Sequence, residues 1–207
     1  MKLKKKVKKL VYFILLVLLI VGGIYAYSYF FGGKEVKEAK VVSEIKKYGY
    51  VLKDNKTAEY KKMFHELKEI LEKDKVDEEK YAKKIAEMFI YDFYSLKDKA
   101  SKTDIGGVDF VYDGIRENFL ENAQNTYYKY VENNIYKNRK QALPVVTNIK
   151  LDEVKQESFK YGDKTDSEAY IIKASWDYTS SSFSDYQTSG ELVFVHDGIK
   201  LVLVELQ

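Results

Sequence analysis

Residues 192–206 read LVFVHDGIKLVLVEL, and that stretch decides the fold. Leu192 to Val195 is apolar at every position, so a strand here must be covered on both faces. Asp197-Gly198 is the two-residue turn that joins antiparallel strands, and Lys200 to Leu206 is the return strand. Working backward, residues 170–178 (YIIKASWDY) put Tyr170, Ile172, Ala174, Trp176 and Tyr178 on one face. Lys173, Ser175 and Asp177 fall on the other, which is the period of a half-buried strand. Val145, Thr147, Ile149 and Leu151 alternate with polar residues just after Pro144. Four strands in succession predict an antiparallel meander.

Upstream of Pro144 the period is 3.6 instead of 2. Thr57 is placed to cap a helix carrying Tyr60, Met63, Phe64, Leu67, Ile70 and Leu71 on one face, with Glu59 in its first turn. Asp77 caps a second helix, with a stripe of Tyr81, Ile85, Met88, Phe89, Phe93 and Leu96. Its last turns, MFIYDFYSL, are apolar nearly all round, which predicts burial on several sides. A third helix is expected from Gly114 to Asn134, with Ile115, Phe119, Ala123, Tyr127, Tyr130 and Val131 on one face. Between the second and third lie the turn Thr103 to Gly107 and a brief extended run, Val108 to Tyr112. Helices first and a meander afterwards give an α+β fold, about three helices packed on a four-stranded antiparallel sheet.

The N-terminus is of a different kind. Lys2, Lys4, Lys5, Lys6, Lys8 and Lys9 precede an apolar run from Leu10 to Phe31, LVYFILLVLLIVGGIYAYSYFF. At about 1.5 Å per residue such a run reaches roughly 33 Å, enough for a hydrocarbon core near 30 Å. Lysines on one side hold that end in the cytoplasm, and the tyrosines and phenylalanines near both ends suit the membrane interfaces. The rival reading is a cleaved signal peptide, with Ala26-Tyr27-Ser28 as the cleavage site. The run is too long for one, and bulky aromatics fill the site. Gly22 and Ala26 form a small-xxx-small pair that would let two such helices pack closely. The expected organisation is a basic cytoplasmic tail (1–9), a transmembrane helix (10–31), a charged juxtamembrane stalk or helix (32–47), and an extracytoplasmic domain (48–207).

Composition narrows the function further. The chain's net charge of +3 comes from the tail, since beyond residue 33 there are 29 basic against 32 acidic side chains. The domain is therefore slightly acidic, and nucleic acid is not an expected partner. There is no cysteine, which removes disulfides, thiol nucleophiles and lipid attachment through cysteine. No cofactor signature is present. His65 and His196 lie in unrelated elements without a second ligand, so a metal site is not expected. Asp104, Asp109 and Asp113 around Gly106-Gly107 do not fit a calcium loop, and the glycines lack the lysine of a phosphate loop. The Ser-rich stretch Thr179 to Asp185 has no nucleophile elbow and no paired histidine.

Three helices followed by a meander ending in Val195 to Leu201 resemble the cone-shaped nuclear-transport-factor-2-like (cystatin-like) fold over about residues 48–207. With the anchor and basic tail, the layout is similar to VirB8-type components of type IV secretion and conjugation machines. The stretch FIYDFYSLKDKASKTDIGGVDFVY is also similar to segments of membrane-anchored proteins of low-GC bacteria. The resemblance implies a cavity between helices and sheet, which enzymes of this fold line with acids. Asp92 lies on the apolar stripe of the second helix, four residues after Met88, and is the acid that such a cavity would use. The competing reading bonds it to a tyrosine hydroxyl or a neighbouring lysine. Tyr127, Tyr130, Trp176 and Tyr178 are the aromatic candidates for the pocket wall, and core packing explains the same residues.

The leading expectation is a membrane-anchored, non-enzymatic interaction or scaffold module, with a protein partner or a second copy of itself. Two alternatives stand beside it: a small-molecule-binding or hydrolytic cone domain using Asp92, and a cell-wall binding domain.

Overall fold

A computed structural model describes residues 17–23 and 39–207. Residues 17–23 are helical with exposed apolar side chains, and they belong to a unit separate from the one beginning at Ala39. Among the described residues no helix is long and apolar enough to cross a membrane. Most of the run Leu10 to Phe31, and the tail before it, lie outside the described residues.

The unit from Ala39 is α+β. It opens with a hairpin, β1 (Val41–Ile45) and β2 (Tyr50–Lys53). Residues 41–45 are thus a strand, not part of a juxtamembrane stalk or helix, and the folded unit starts about nine residues earlier than position 48. The expectation failed because Lys40, Glu44, Lys46 and Lys47 read as a solvated segment. What decides the conformation is pairing: Ile45 sits opposite Tyr50, and Gly49 makes the turn at φ +68°, where only glycine is unstrained. Ile45, Tyr48, Tyr50 and Leu52 are all buried.

Helices α1 (Ala58–Leu71) and α2 (Glu78–Tyr94) follow. Both expected caps are present: the Thr57 hydroxyl accepts the Tyr60 N–H at 3.2 Å, and Asp77 accepts that of Lys80 at 3.1 Å. Each such cap contributes about 1 kcal/mol. Every residue from Met88 to Leu96 is buried, as the all-round apolarity predicts. Val108 to Tyr112 is not an extended run: Val108–Phe110 forms a single 3-10 turn, after which Val111 makes one parallel bridge to Leu203.

The third helix is shorter than its periodicity suggests. α3 spans Arg116–Asn125, after which the chain unwinds. Tyr128 explains why. Its ring is fully buried, its hydroxyl donates to the Phe93 carbonyl at 2.6 Å, and it accepts the Gly106 N–H at 3.1 Å. A continued helix would turn Tyr128 about 100° away from Tyr127. Unwinding lets both reach the core and carries Tyr130 out to solvent, where it is 76% exposed. The loop that follows is pinned by Arg139, whose guanidinium donates to the carbonyls of Leu96, Lys97, Lys99 and Glu132.

The sheet is the expected four-stranded antiparallel meander in the order β3-β4-β5-β6. Its strands are β3 (Val146–Tyr161), β4 (Lys164–Tyr178), β5 (Ser189–Asp197) and β6 (Lys200–Leu206). The first two run far beyond their apolar segments and turn at Gly162 (φ +55°). Ile172, Trp176, Leu192, Phe194 and Leu203 join the core that includes the helices. Ala169, Val195 and Val202 form a smaller second core, against which Phe159, Tyr161 and Tyr112 pack. The tip of the long hairpin reaches this second core: Tyr161 meets Tyr112 edge-on at 5.6 Å, and Lys164 Nζ donates to the Tyr112 hydroxyl at 3.1 Å. Both faces of Leu192 to Val195 are therefore covered, as residues 192–195 demand.

Candidate functional site

Helix α2 presents two different surroundings within three residues. Asp92 points to the loop after the helix, while Phe93 and Tyr94 point to α3 and the sheet.

Asp92 is 6% exposed, and its carboxylate is fully engaged. Lys56 Nζ reaches Oδ1 and Oδ2 at 2.8 and 2.7 Å, Lys99 Nζ reaches Oδ1 at 2.8 Å, and the Gly107 N–H donates to Oδ2 at 2.9 Å. Burial alone would push the carboxyl up; Lys99 and Lys56 outweigh it and hold the pKa down at about 2. Burial likewise pulls Lys99 down, and the Asp92 charge more than reverses this, leaving it above the ordinary lysine value. Asp92 is thus a structural anchor ionised at neutral pH, not an acid of raised pKa. It fits the competing reading, with lysines as its partners.

Gly106 and Gly107 explain why the loop can lie so close. A Cβ on Gly106 would stand 2.0 Å from the Asp92 carbonyl oxygen, and one on Gly107, at φ +73°, 2.6 Å from the Phe89 ring. The two glycines are turn residues with a steric role as well. Asp104 accepts the Ala100 N–H at 2.8 Å, a turn role, and Asp113 begins a 3-10 turn and pairs with the Arg116 guanidinium at 2.5 Å.

The other flank is aromatic. Phe93 packs against Phe119 and Tyr127, and Tyr94 lies 4.3 Å from Trp176, centroid to centroid. Their polar tips share one network. The Tyr127 hydroxyl donates to the Tyr94 carbonyl at 3.1 Å and lies 3.1 Å from the Tyr178 hydroxyl. Trp176 Nε1 donates to that Tyr178 hydroxyl at 3.0 Å, and Tyr178 donates to the Gln187 carbonyl at 2.6 Å. Burial and these neighbours push the Tyr127 phenol well above the ordinary tyrosine value, so it serves as a hydrogen-bonding group and not as a base.

Beside this network lies a half-open cleft of about 420 Å³, walled by α3 (Asn118, Phe119, Asn122) and by β6. A second cleft of about 490 Å³ lies on the far side of Thr126 and Tyr127, with Tyr130 and Tyr186 on its rim. Tyr127 lines both. Of the five candidates, then, Tyr127, Trp176 and Tyr178 come together, Tyr130 stands at the outer edge, and Asp92 lines neither cleft. Asn118, Asn122 and the end of β6 had not been singled out by sequence. Asn118 and Asn122 are four apart on one helix face, which is a readable spacing but not a distinctive one.

No family model matches the chain, and no curated protein or solved structure matches it either.

His65 is exposed. His196 is half-buried, and its Nδ1 lies 2.8 Å from Asp166 Oδ2, which also accepts the His196 N–H at 2.6 Å. Glu78 stands 3.6 Å from its Nε2. Among the described residues no three His, Cys, Asp or Glu side chains are grouped to hold a metal ion.

Proposed function

We propose that this chain is a single-pass protein of the cytoplasmic membrane, N-terminus inside, whose extracytoplasmic domain is a non-enzymatic interaction or scaffold module. The observation that carries this is the uninterrupted apolar run Leu10 to Phe31 behind six lysines, joined to a separate α+β unit. The seven described residues of that run are helical and expose Leu18, Leu19 and Val21, which suits a lipid environment. A VirB8-type assembly role is the specific version. It draws support from the apolar run behind the lysines and from helices followed by a four-stranded antiparallel meander.

The hydrolytic alternative loses its chemical basis, because Asp92 is held ionised by two lysines and lies outside both clefts. What the domain offers on its open side is amide, hydroxyl and aromatic surface, the material of recognition.

The absence of cysteine gives a clean test. Single cysteines placed at Lys5 and at Ser180 are exposed in intact cells to a membrane-impermeant maleimide. The expected result is labelling at position 180 and none at position 5 until the membrane is broken. Labelling at 5 alone would reverse the orientation, and a chain recovered without its first residues in the soluble fraction would end the anchor.

A further inference from the structure

The cleft between α3 and β6 has an unusual wall. Five consecutive residues, Leu203 to Gln207, line it. Successive side chains of a strand alternate between faces, so five in a row can line one cavity only if it looks at the strand edge-on. Among the described residues β6 is the edge strand of the sheet, paired with β5 on one side only. On its other side the Leu203 carbonyl accepts the Tyr112 N–H at 2.9 Å, and the chain then turns away into α3. Gln207 and Glu191 exchange both backbone bonds at 3.0 Å. Leu206, opposite Leu192, therefore occupies the alternate position, and its N–H and C=O point out into the cleft. An open edge of this kind is a template for another strand.

The rest of the wall suits a peptide. Phe93, Phe119 and Tyr127 supply an apolar floor, and the exposed Asn118 and Asn122 amides make no hydrogen bond among the described residues. Among the described residues, those lining the groove include one charged side chain, Glu205, those lining the neighbouring cleft add Asp185, and neither set includes a lysine or arginine. That absence selects the sign of the occupant.

We infer that the α3–β6 groove binds an extended segment of a partner protein. The segment adds as a fifth strand to the edge of β6, with small apolar side chains on the aromatic floor and basic residues at its ends. The backbone supplies affinity, and the aromatic floor and the Glu205 carboxylate supply selectivity. This deepens the interaction-module reading and rests on it.

The test uses the full chain in detergent and two fluorescent peptides of about ten residues, alternating valine and threonine, one ended by lysines and one by glutamates. Fluorescence anisotropy is expected to show the lysine-ended peptide binding at least about tenfold tighter. Hydrogen exchange at the Leu206 amide should slow in the complex. Asn122→Arg, at an exposed helix position, should weaken binding about tenfold or more by filling the groove with like charge, without moving the melting midpoint. Leu206→Pro, which removes the edge N–H while leaving β5 pairing, should weaken binding as well, with a lowered melting midpoint because Leu206 packs against the core. Binding of neither peptide, or binding that Asn122→Arg leaves unchanged, overturns the groove. So does self-association that Asn122→Arg abolishes in the absence of peptide binding, which would seat a second copy there. A partner crosslinked elsewhere on the domain would sink this inference and leave the scaffold reading standing.

Discussion

Asp92 and Tyr94 are two positions apart on α2, yet one faces a sealed ionic contact and the other an open aromatic groove. Around Asp92 every lone pair is answered, by two lysines and a backbone N–H, and the loop above it is held at glycine-only distance. Around Tyr94 the hydroxyls of Tyr127 and Tyr178 donate to the carbonyls of Tyr94 and Gln187, while the amides on α3 and the edge of β6 have no partner among the described residues. The first arrangement fixes the fold and has no chemistry left over. The second leaves unsatisfied groups facing solvent, which is what a binding surface requires.

The largest effect should come from breaking the sealed side. Asp92→Ala leaves Lys99 charged at 4% exposure without its carboxylate acceptor, and Lys56 with the Tyr60 ring in place of an ion pair. Removing one member of a buried ion pair costs about 3–5 kcal/mol. Urea denaturation should show that loss, and pairing the change with Lys99→Met should recover part of it. An Asp92→Ala domain as stable as the parent would mean the contact is ornamental.

Next comes Gly106→Ala. Its Cβ would stand 2.0 Å from the Asp92 carbonyl, so the loop must lift and draw the Gly107 N–H away from the carboxylate. A loss of about 2–3 kcal/mol is expected, combining overpacking with a lost charge-assisted bond. Because both changes disturb one contact, Gly106→Ala combined with Asp92→Ala should fall well short of the sum. Full additivity would separate the glycine from the ion pair and break the account of the loop.

How far the sequence carried these readings follows from where the deciding information lay. The caps at Thr57 and Asp77, the stripes of α1 and α2, and the β5–β6 hairpin are written in local spacing, and all stand as expected. Three features depend on partners that the local apolar pattern does not show. β1 is a strand because β2 pairs with it, despite its charge. α3 stops at Asn125 because the Tyr128 hydroxyl bonds to Phe93, 35 residues away. β3 and β4 extend through polar residues, though Gly162-Asp163 between them is a turn signal that could have been read. Asp92 sits where its stripe placed it, but its answer came from Lys56, 36 residues earlier. The groove was invisible because a strand edge is backbone, and backbone carries no sequence signature.

Acid should sharpen the contrast through the ion pair. With the Asp92 pKa at about 2 in the folded state and near 3.9 unfolded, the unfolded chain takes up the proton first as pH falls. The stability it contributes, about 2 kcal/mol, is fully present above roughly pH 5 and is lost as pH drops through 4 toward 2. Thermal midpoints measured between pH 6 and pH 2.5 should fall more steeply for the parent than for Asp92→Asn, which has no such proton to bind. Parallel curves would refute the depressed pKa.

The smallest expected effect tests the rim of the second cleft. Tyr130 would have continued the helical stripe, but beyond Asn125 the chain unwinds and the ring is left 76% exposed, with Lys129 Nζ 5.2 Å from its centroid. An exposed cation–π contact contributes at most about 0.5–1 kcal/mol, and surface truncations away from packed features fall within about 0.5 kcal/mol. Tyr130→Ala should therefore be nearly silent in urea. Tyr128→Phe, two residues before it, should cost about 1–3 kcal/mol, because the change strips a buried hydroxyl from the Phe93 carbonyl and the Gly106 N–H together. If the two results came out reversed, the helix would continue past Asn125. The wall shared by the two clefts would then belong to a different set of side chains.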